Sequence, residues 1–136
     1  ALAAYEPKNN RSQLMETDDN KLLVDAYNAN PTSMRAAIEN FRDMKVERRM
    51  VILGDMGELG ESSWKAHQAI ADLLVESGFE HVWLVGPKFK AARHPFRTFD
   101  SVEQVKKALE IKKPKGYYIL IKGSHSTRLY DLPDFL

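Results

Sequence analysis

The sequence predicts an α/β fold in which a mostly parallel, doubly wound sheet lies between layers of helices. Several short apolar runs lack the alternation of a half-exposed strand, which is typical of strands buried on both faces. Segments with helical spacing separate these runs, and this alternation is the order of a doubly wound fold. A hairpin pattern near the start of the chain predicts an antiparallel strand at one edge.

Length and composition indicate a single globular domain over residues 1–136. The chain is 43% hydrophobic and 29% charged, which excludes a disordered composition. Its 20 basic and 19 acidic residues leave a net charge of +1, so we do not expect nucleic acid as a partner. We also expect no membrane span, because no apolar run approaches the ~20 residues that one needs. The absence of cysteine is compatible with a cytoplasmic location.

The first third of the chain predicts a hairpin followed by a helix. Residues 12–17 and 21–27 have strand character and flank the turn residues 18–20. From Pro31 onward the apolar residues recur at a spacing of three to four, which predicts a helix capped by Asn30. The inner face of this helix is predicted at Met34, Ala37, Ile38 and Phe41.

The middle of the chain predicts a strand at residues 50–53 and a helix that opens at residues 61–63 and stops at Gly78. The inner face of this helix is predicted at Trp64, His67, Ile70, Ala71 and Leu74. We interpret His67 as a hydrogen-bonded interior histidine, because it shares that face with apolar side chains and the four histidines lack zinc-site spacing.

The last part of the chain predicts more strands, one helix and a closing turn. The strands are predicted at residues 81–86, 96–99 and 117–123, the second of them at an edge. Asp100 or Ser101 is expected to cap a helix that ends before Pro114. Residues 129–136 are expected to form a turn or a short helix.

Three of the predicted strands end in polar loops, and open α/β sheets bind ligands beyond the carboxyl ends of their strands. In the first loop Asp25 could accept hydrogen bonds from a ribose or hold a metal-bound water. Tyr27 offers a flat face to a purine, and Asn28 and Asn30 offer donors and acceptors. The alternative is purely structural, with Asn30 capping the helix and Tyr27 packing.

The second polar loop, residues 54–60, contains three glycines, which allow backbone to approach a ligand closely. It is no P-loop, because no Gly-Lys-Ser or Gly-Lys-Thr follows it. Its Asp55 and Glu58 are candidates for a site, or else a turn residue and a solvated charge.

The third polar loop, residues 122–128, groups side chains that bind anions. Lys122 stands at a strand end beside Gly123 and Ser124, with His125 and Arg128 close by. This set suits a phosphate or a carboxylate. An ordinary basic surface turn is the alternative.

Together the three loops resemble motifs of the Mur ligase family. The segments DAYNANPTSMRAAIENF, VILGDMGELGESSWKAH and LIKGSHSTRLY carry the resemblance, and Arg11 and Gln13 match the entry into the family's third domain. The branch they match joins D-alanyl-D-alanine to UDP-N-acetylmuramoyl-tripeptide. The resemblance implies a Rossmann-like, three-layer α/β/α sandwich that forms the C-terminal domain of a larger enzyme. The N-terminal UDP-binding domain and the central P-loop ATPase domain would lie outside this sequence.

The resemblance also implies an activity. The family forms a peptide bond at the expense of ATP, through an acyl phosphate and a tetrahedral intermediate, with Mg²⁺. ATP and Mg²⁺ would be bound mainly by the central domain, so we expect this chain to be inactive alone and to hold no metal itself. The whole enzyme would be a cytoplasmic bacterial protein, expected to be a monomer.

Site residues follow from the resemblance in three groups. The residues expected to face ATP are Asp25, Tyr27, Asn28 and Asn30. Those expected to face D-alanyl-D-alanine or the transferred phosphate are Lys122, Gly123, Ser124 and Arg128. Asp55 and Glu58 would position the amine of the dipeptide. Two positions depart from the family pattern, His125 where arginine is usual and Tyr130 where an acid is expected.

A phospho-acceptor receiver domain, which is a signalling module, is the alternative with a similar sheet. Asp55 and Lys122 could imitate its phosphorylated aspartate and its lysine. A receiver usually has two adjacent acids after its first strand to hold magnesium, whereas Asp25 is followed by Ala26. The three-glycine loop after Asp55 is also atypical of a phosphorylation site, so the sequence favours the ligase domain.

Overall fold

The computed structural model describes residues 13–25 and 29–136, and its strands form one six-stranded sheet. The strands are β1 Gln13–Glu16, β2 Lys21–Asp25, β3 Arg49–Gly54, β4 Val82–Val85, β5 Arg97–Phe99 and β6 Tyr118–Lys122. Their order in the sheet is β1-β2-β6-β3-β4-β5. Only the pair β1–β2 is antiparallel among these strands. The predicted mostly parallel sheet with an antiparallel edge is therefore confirmed.

The hairpin turn between β1 and β2 is anchored by a buried asparagine. Asn20 donates from Nδ2 to the carbonyl oxygens of Pro114 and Leu136, at 2.9 and 3.0 Å, and accepts from the Tyr117 amide at 3.1 Å. Thr17 donates to the same Leu136 oxygen at 2.8 Å. These bonds hold the hairpin against the segment that precedes β6 and against the last residue.

Within residues 13–25 and 29–136, four α-helices connect the strands. They are α1 Pro31–Asp43, α2 Ser63–Glu76, α3 Pro87–Ala91 and α4 Val102–Ile111, and 3₁₀ turns occupy Gly60–Ser62, His125–Thr127 and Leu129–Phe135. Helix α3 was not predicted, because five residues are too few to show a helical period. The Gly-Pro pair at 86–87 is the signal that could have found it. No helix in the described ranges 13–25 and 29–136 has the length and apolar character to cross a bilayer.

The start of α1 follows its local sequence closely. Asn30 Oδ1 accepts from the Ser33 amide at 2.9 Å, and Ser33 Oγ accepts from the Asn30 amide at 3.1 Å. This reciprocal pair is a capping box, and Pro31 supplies the first helical residue. Both predictions for this helix end are confirmed.

The two faces of the sheet are covered by separate apolar clusters. Helices α1, α2 and α3 cover one face, where Ile38, Leu74 and Phe89 belong to one cluster with Leu53 and Leu120. Helix α4 and the turn Leu129–Phe135 cover the other face. Their buried residues include Val105 and Leu132, which share a second cluster with Ile52 and Ile121. The chain is thus the three-layer sandwich expected.

One predicted core position is wrong. Trp64 leaves 68% of its surface exposed, whereas His67, Ile70, Ala71 and Leu74 are buried as predicted. The helical period places Trp64 on the same stripe of α2, but it does not show how far the packed layer extends along a helix. Trp64 lies in the first turn, before the stripe becomes covered.

Candidate functional site

The topology brings the three polar loops to one edge of the sheet. The loops follow β2, β3 and β6, and β6 lies between the other two strands. Because these three strands are parallel, their carboxyl ends meet at the same edge. Two of the predicted residues, Tyr27 and Asn28, lie outside the described residues.

Asp25 and Lys122 face each other across β2 and β6. They are register partners, and Lys122 Nζ lies 2.7 Å from Asp25 Oδ2. Their side chains are 12% and 2% exposed, so this is a nearly buried ion pair. The other oxygen, Asp25 Oδ1, is buried and accepts no hydrogen bond from the described residues. A buried charge needs compensation, so each member of the pair depends on the other.

The loops after β3 and β6 pack backbone against backbone through glycines. A Cβ added to Gly123 would lie 2.7 Å from Thr127 Oγ1 and 3.1 Å from the Cα of Gly54. Thr127 Oγ1 donates to the Ser124 carbonyl at 2.7 Å, which holds the threonine over both glycines. Thr127 was not predicted from the sequence as a residue of this site. That Gly123 faces a ligand stays a prediction.

Asp55 connects the loop after β3 to the start of α3. Its two carboxylate oxygens accept from the backbone amides of Lys88 and Phe89, each at 2.9 Å. Its carbonyl oxygen accepts from the Ser124 amide at 3.2 Å. Gly86, with φ +116°, allows the carboxylate to lie directly against the backbone. The carboxylate thus has a structural task, and its predicted role toward the dipeptide stays a prediction.

His67 is fully buried and hydrogen-bonded at both ring nitrogens. Nε2 accepts from the Met56 amide at 3.0 Å, and Nδ1 donates to the Ser63 carbonyl at 2.7 Å. The expected hydrogen-bonded interior histidine is therefore confirmed. Burial lowers the pKa of His67 below 6.5, against the opposing effects of the Ser63 carbonyl and the Asp55 carboxylate. The two hydrogen bonds are those of a neutral ring that carries its proton on Nδ1.

Stability should depend on pH through His67. Because the pKa of His67 is lower in the folded chain than the ordinary 6.5, the unfolded chain binds more protons as pH falls below that value. We expect His67 to leave the free energy of unfolding unchanged as pH varies above 6.5. Below pH 6.5 the free energy of unfolding should decrease, by at most ~1.4 kcal/mol per pH unit. Denaturant unfolding from pH 5 to 8 should show a steeper acid loss in wild type than in His67→Gln. Parallel pH curves would contradict this prediction.

Two candidate residues have strained backbone. Glu58 and Arg128 have φ of +59° and +58°, and within the described segments no other non-glycine residue has positive φ. Both side chains are exposed. Arg128 Nη2 lies 3.1 Å from Asp131 Oδ2. Residues held in the left-handed region concentrate at functional sites, which is a reason to test both.

A cavity of about 460 Å³ opens beside these loops. It is lined by residues that follow β3, β4, β5 and β6, and the predicted site residues among them are Asp55, Ser124 and Arg128. Asp25, Asn30, Glu58, Lys122 and Gly123 are not in its lining. The lining residues that follow β4 and β5, such as Lys88 and Glu103, were not predicted from the sequence. The available signal was that the two strands were predicted in the same parallel sheet.

A metal centre is not evident in this part of the molecule. Over residues 13–25 and 29–136, no three His, Cys, Asp or Glu side chains are grouped so that they could hold a metal ion.

Comparison with known proteins identifies relatives. The family described as "Mur ligase, glutamate ligase domain" matches residues 10–125. The UDP-N-acetylmuramoyl-tripeptide--D-alanyl-D-alanine ligase of Treponema pallidum is 32% identical over 123 residues, which are 84% of this chain and 27% of that protein. The chain therefore spans about a quarter of the length of this curated relative.

Solved structures give the same result for the fold. MurF from Acinetobacter baumannii matches with a TM-score of 0.77 and 27% identity, over 96% of this chain and 30% of that one. The MurF ligase of Thermotoga maritima in complex with ADP has a TM-score of 0.80 and 22% identity, over 98% of this chain and 32% of that one. At the latter identity the likeness concerns the fold alone. Because the family match covers most of its length, the chain belongs to the Mur ligase family and corresponds to its glutamate ligase domain.

Proposed function

We propose that this chain is the C-terminal domain of an ATP-dependent ligase that joins D-alanyl-D-alanine to UDP-N-acetylmuramoyl-tripeptide. The observation that carries the proposal is that three loops with the family's motifs follow adjacent strands and meet at one sheet edge. The Treponema pallidum relative is named for this reaction. The complete protein would add a UDP-binding domain and a P-loop ATPase domain, and it would act as a monomer in the bacterial cytoplasm.

In the proposed reaction ATP phosphorylates the tripeptide carboxylate and leaves as ADP. The dipeptide amine then attacks the acyl phosphate, loses a proton, and phosphate departs from the tetrahedral intermediate to leave an amide. We propose that ATP and Mg²⁺ are bound mainly by the central domain. This chain would cover the reactants on closure, which orders them and keeps water from the acyl phosphate.

The nucleotide side of the site is proposed at the ends of β2 and α1. Asp25 Oδ2 is engaged by Lys122, so Oδ1, which is buried in this structure, is the carboxylate oxygen that would accept from a ribose hydroxyl once it becomes accessible on closure. Asn30 uses its Oδ1 for the helix cap, so its Nδ2 is the group offered to the nucleotide. Tyr27 and Asn28 join this set through the resemblance alone.

The dipeptide side is proposed at the loops after β3 and β6. Ser124 and Arg128 line the cavity and offer a hydroxyl and a cation to a carboxylate or phosphate. Lys122 and Gly123 precede them at the strand end. Asp55 and Glu58 would supply negative charge near the amine. Since Lys122 is paired with Asp25, the same ion pair would connect the two sides.

An assay of the complete protein tests the proposal. With Mg²⁺-ATP, release of ADP should require both UDP-N-acetylmuramoyl-tripeptide and D-alanyl-D-alanine, and the extended peptide should form. The 136-residue chain alone should release none. ADP formation that ignores the dipeptide would count against the function, and turnover by the chain alone would count against the domain assignment.

The receiver alternative receives no support from the comparisons with known proteins. Acetyl phosphate separates the two classes, because a receiver would gain a phosphoryl group on Asp55. We expect no modification, since both oxygens of that carboxylate accept backbone amides. Intact-mass spectrometry reads the result.

Glu58→Gly should separate backbone strain from charge. Glycine adopts φ near +59° without strain, so the free energy of unfolding should rise by about 1 kcal/mol. Loss of the carboxylate should raise KM for D-alanyl-D-alanine about tenfold. The matched control is Glu61→Gly in the following 3₁₀ turn, which should lower stability and leave KM unchanged. An unchanged KM in Glu58→Gly would remove this residue from the amine site.

A further inference from the structure

Hydrogen bonds at Asp55 and Met56 join four segments around the cavity, which are helix α2, the loop after β3, helix α3 and the loop after β6. Helix α2 reaches the loop after β3 through the bond from the Met56 amide to His67 Nε2, at 3.0 Å. The neighbouring Asp55 holds the first amides of α3 through its carboxylate, and its carbonyl holds the Ser124 amide. Asp55, Met56 and Gly57 line the cavity, whereas His67 does not. His67 therefore acts on the cavity only through backbone.

The bonds at His67 require one particular tautomer. The Met56 amide can only donate, so Nε2 must carry a lone pair, and the Ser63 carbonyl can only accept, so Nδ1 must carry the proton. Neutral imidazole in water favours the opposite tautomer, so the fold imposes this one. Other groups face the ring as well. The Phe89 ring lies edge-on to the imidazole, with the two ring centroids 4.7 Å apart. Asp55 Oδ1 lies 3.9 Å from Nε2, and Lys88 adds a positive charge nearby.

We propose that His67 is a positioning residue that holds the Asp55–Gly57 side of the cavity and thereby sets the affinity for the amino substrate. The identity of that substrate as D-alanyl-D-alanine rests on the proposed function. The nucleotide side should respond little, because Asp25 and Asn30 do not line this cavity. His67 thus affects binding of one substrate without touching either.

Two substitutions distinguish positioning from filling space. His67→Leu fills the site but leaves the buried Met56 amide without an acceptor, so the loop must move to find one. His67→Gln can present an amide oxygen to the same donor and should restore the position. Protonation of His67 would act like the leucine, because it places a donor against a donor.

His94 provides a matched control within the same chain. Its Nε2 donates to the Phe89 carbonyl at 2.9 Å, and its Nδ1 accepts from the Phe96 amide at 3.1 Å. It therefore bridges two backbone groups as His67 does, but with the opposite tautomer, and it is absent from the cavity lining. His94→Leu should cost comparable hydrogen bonding without moving the cavity.

Steady-state kinetics of the complete enzyme test the proposal. His67→Leu should raise KM for D-alanyl-D-alanine about tenfold or more and leave KM for ATP within about twofold, because an unsatisfied amide displaces the loop. His67→Gln should stay within about threefold of wild type, and His94→Leu should change neither KM. Equal changes in both KM values, a glutamine variant as poor as leucine, or no change in His67→Leu would each overturn the proposal.

Imidazole ¹⁵N NMR gives a readout that does not depend on the reaction. His67 should show a pyridine-like Nε2 and a pyrrole-like Nδ1, and His94 should show the reverse. An Nε2–H tautomer at His67 would overturn the positioning contact whatever the substrate. A wild-type enzyme without dipeptide-dependent ADP release would overturn the proposed function and the substrate named here, while the tautomers still decide whether His67 holds the loop.

Discussion

Gly86→Ala should lower the free energy of unfolding by about 3–5 kcal/mol. The residue has φ +116°, which a residue with a side chain rarely adopts, and the added Cβ would clash with the carboxylate of Asp55. The carboxylate has no room to yield, because both of its oxygens hold amides of α3. Either the backbone at residue 86 shifts or those two bonds break.

Gly116→Ala is the matched control for Gly86→Ala. Gly116 also has a positive φ, of +81°, but an added Cβ would meet nothing within 4 Å. The free energy of unfolding of this variant should fall by only about 1–2 kcal/mol, because backbone strain is the single cost. Urea unfolding of both variants gives the comparison. Equal losses of unfolding free energy in the two variants would show that the clash with Asp55 contributes nothing. The link that we assign between the loop after β3 and the start of α3 would then be wrong.

Lys122→Met should be of similar severity, with a loss of about 3–5 kcal/mol. The substitution leaves Asp25 nearly buried and without the cation that lies 2.7 Å from it. A buried carboxylate without a partner retains the desolvation cost and loses the attraction that offsets it. Denaturant unfolding at pH 7 measures the loss.

Two further variants isolate the ion pair as the cause. Asp25→Leu combined with Lys122→Met removes both charges, so it should be much closer to wild type than Lys122→Met alone. Lys90→Met breaks a pair with Asp100 at 2.6 Å whose side chains are more than half exposed, and its effect should be small. If Lys122→Met lowers the free energy of unfolding no more than Lys90→Met does, then burial does not make the Asp25–Lys122 pair more important than an exposed pair. The predicted dependence of Asp25 on Lys122 would then be wrong.

Local features were predictable from the sequence because their causes are local. The cap at Asn30 and the apolar stripe of α1 depend on residues within a few positions, and both are confirmed. The insertion of β6 between β2 and β3 depends on pairing over almost a hundred residues, so no local pattern contains it. The predicted burial of Trp64 is wrong for a similar reason, because the extent of a packed layer depends on the whole fold.

In the candidate site, too, single residues were predictable from the sequence and their long-range contacts were not. Asp25 and Lys122 were each found at a strand end, but their contact joins residues 97 positions apart and was not foreseen. Asp55 was found as a polar residue in a glycine-rich loop. Its structural partners lie in α3, the helix that the sequence did not predict, so its task there could not be inferred.

Hydrogen–deuterium exchange of the complete protein tests most directly whether the loops after β2, β3 and β6 form one ligand-binding edge. Mg²⁺-ATP should protect residues 25–30, and addition of both other substrates should protect residues 54–60 and 122–128. Segments at the opposite edge of the sheet, residues 45–49 and 112–117, should be unchanged. Protection confined to those opposite segments, or equal at both edges, would contradict the assignment of this edge as the site.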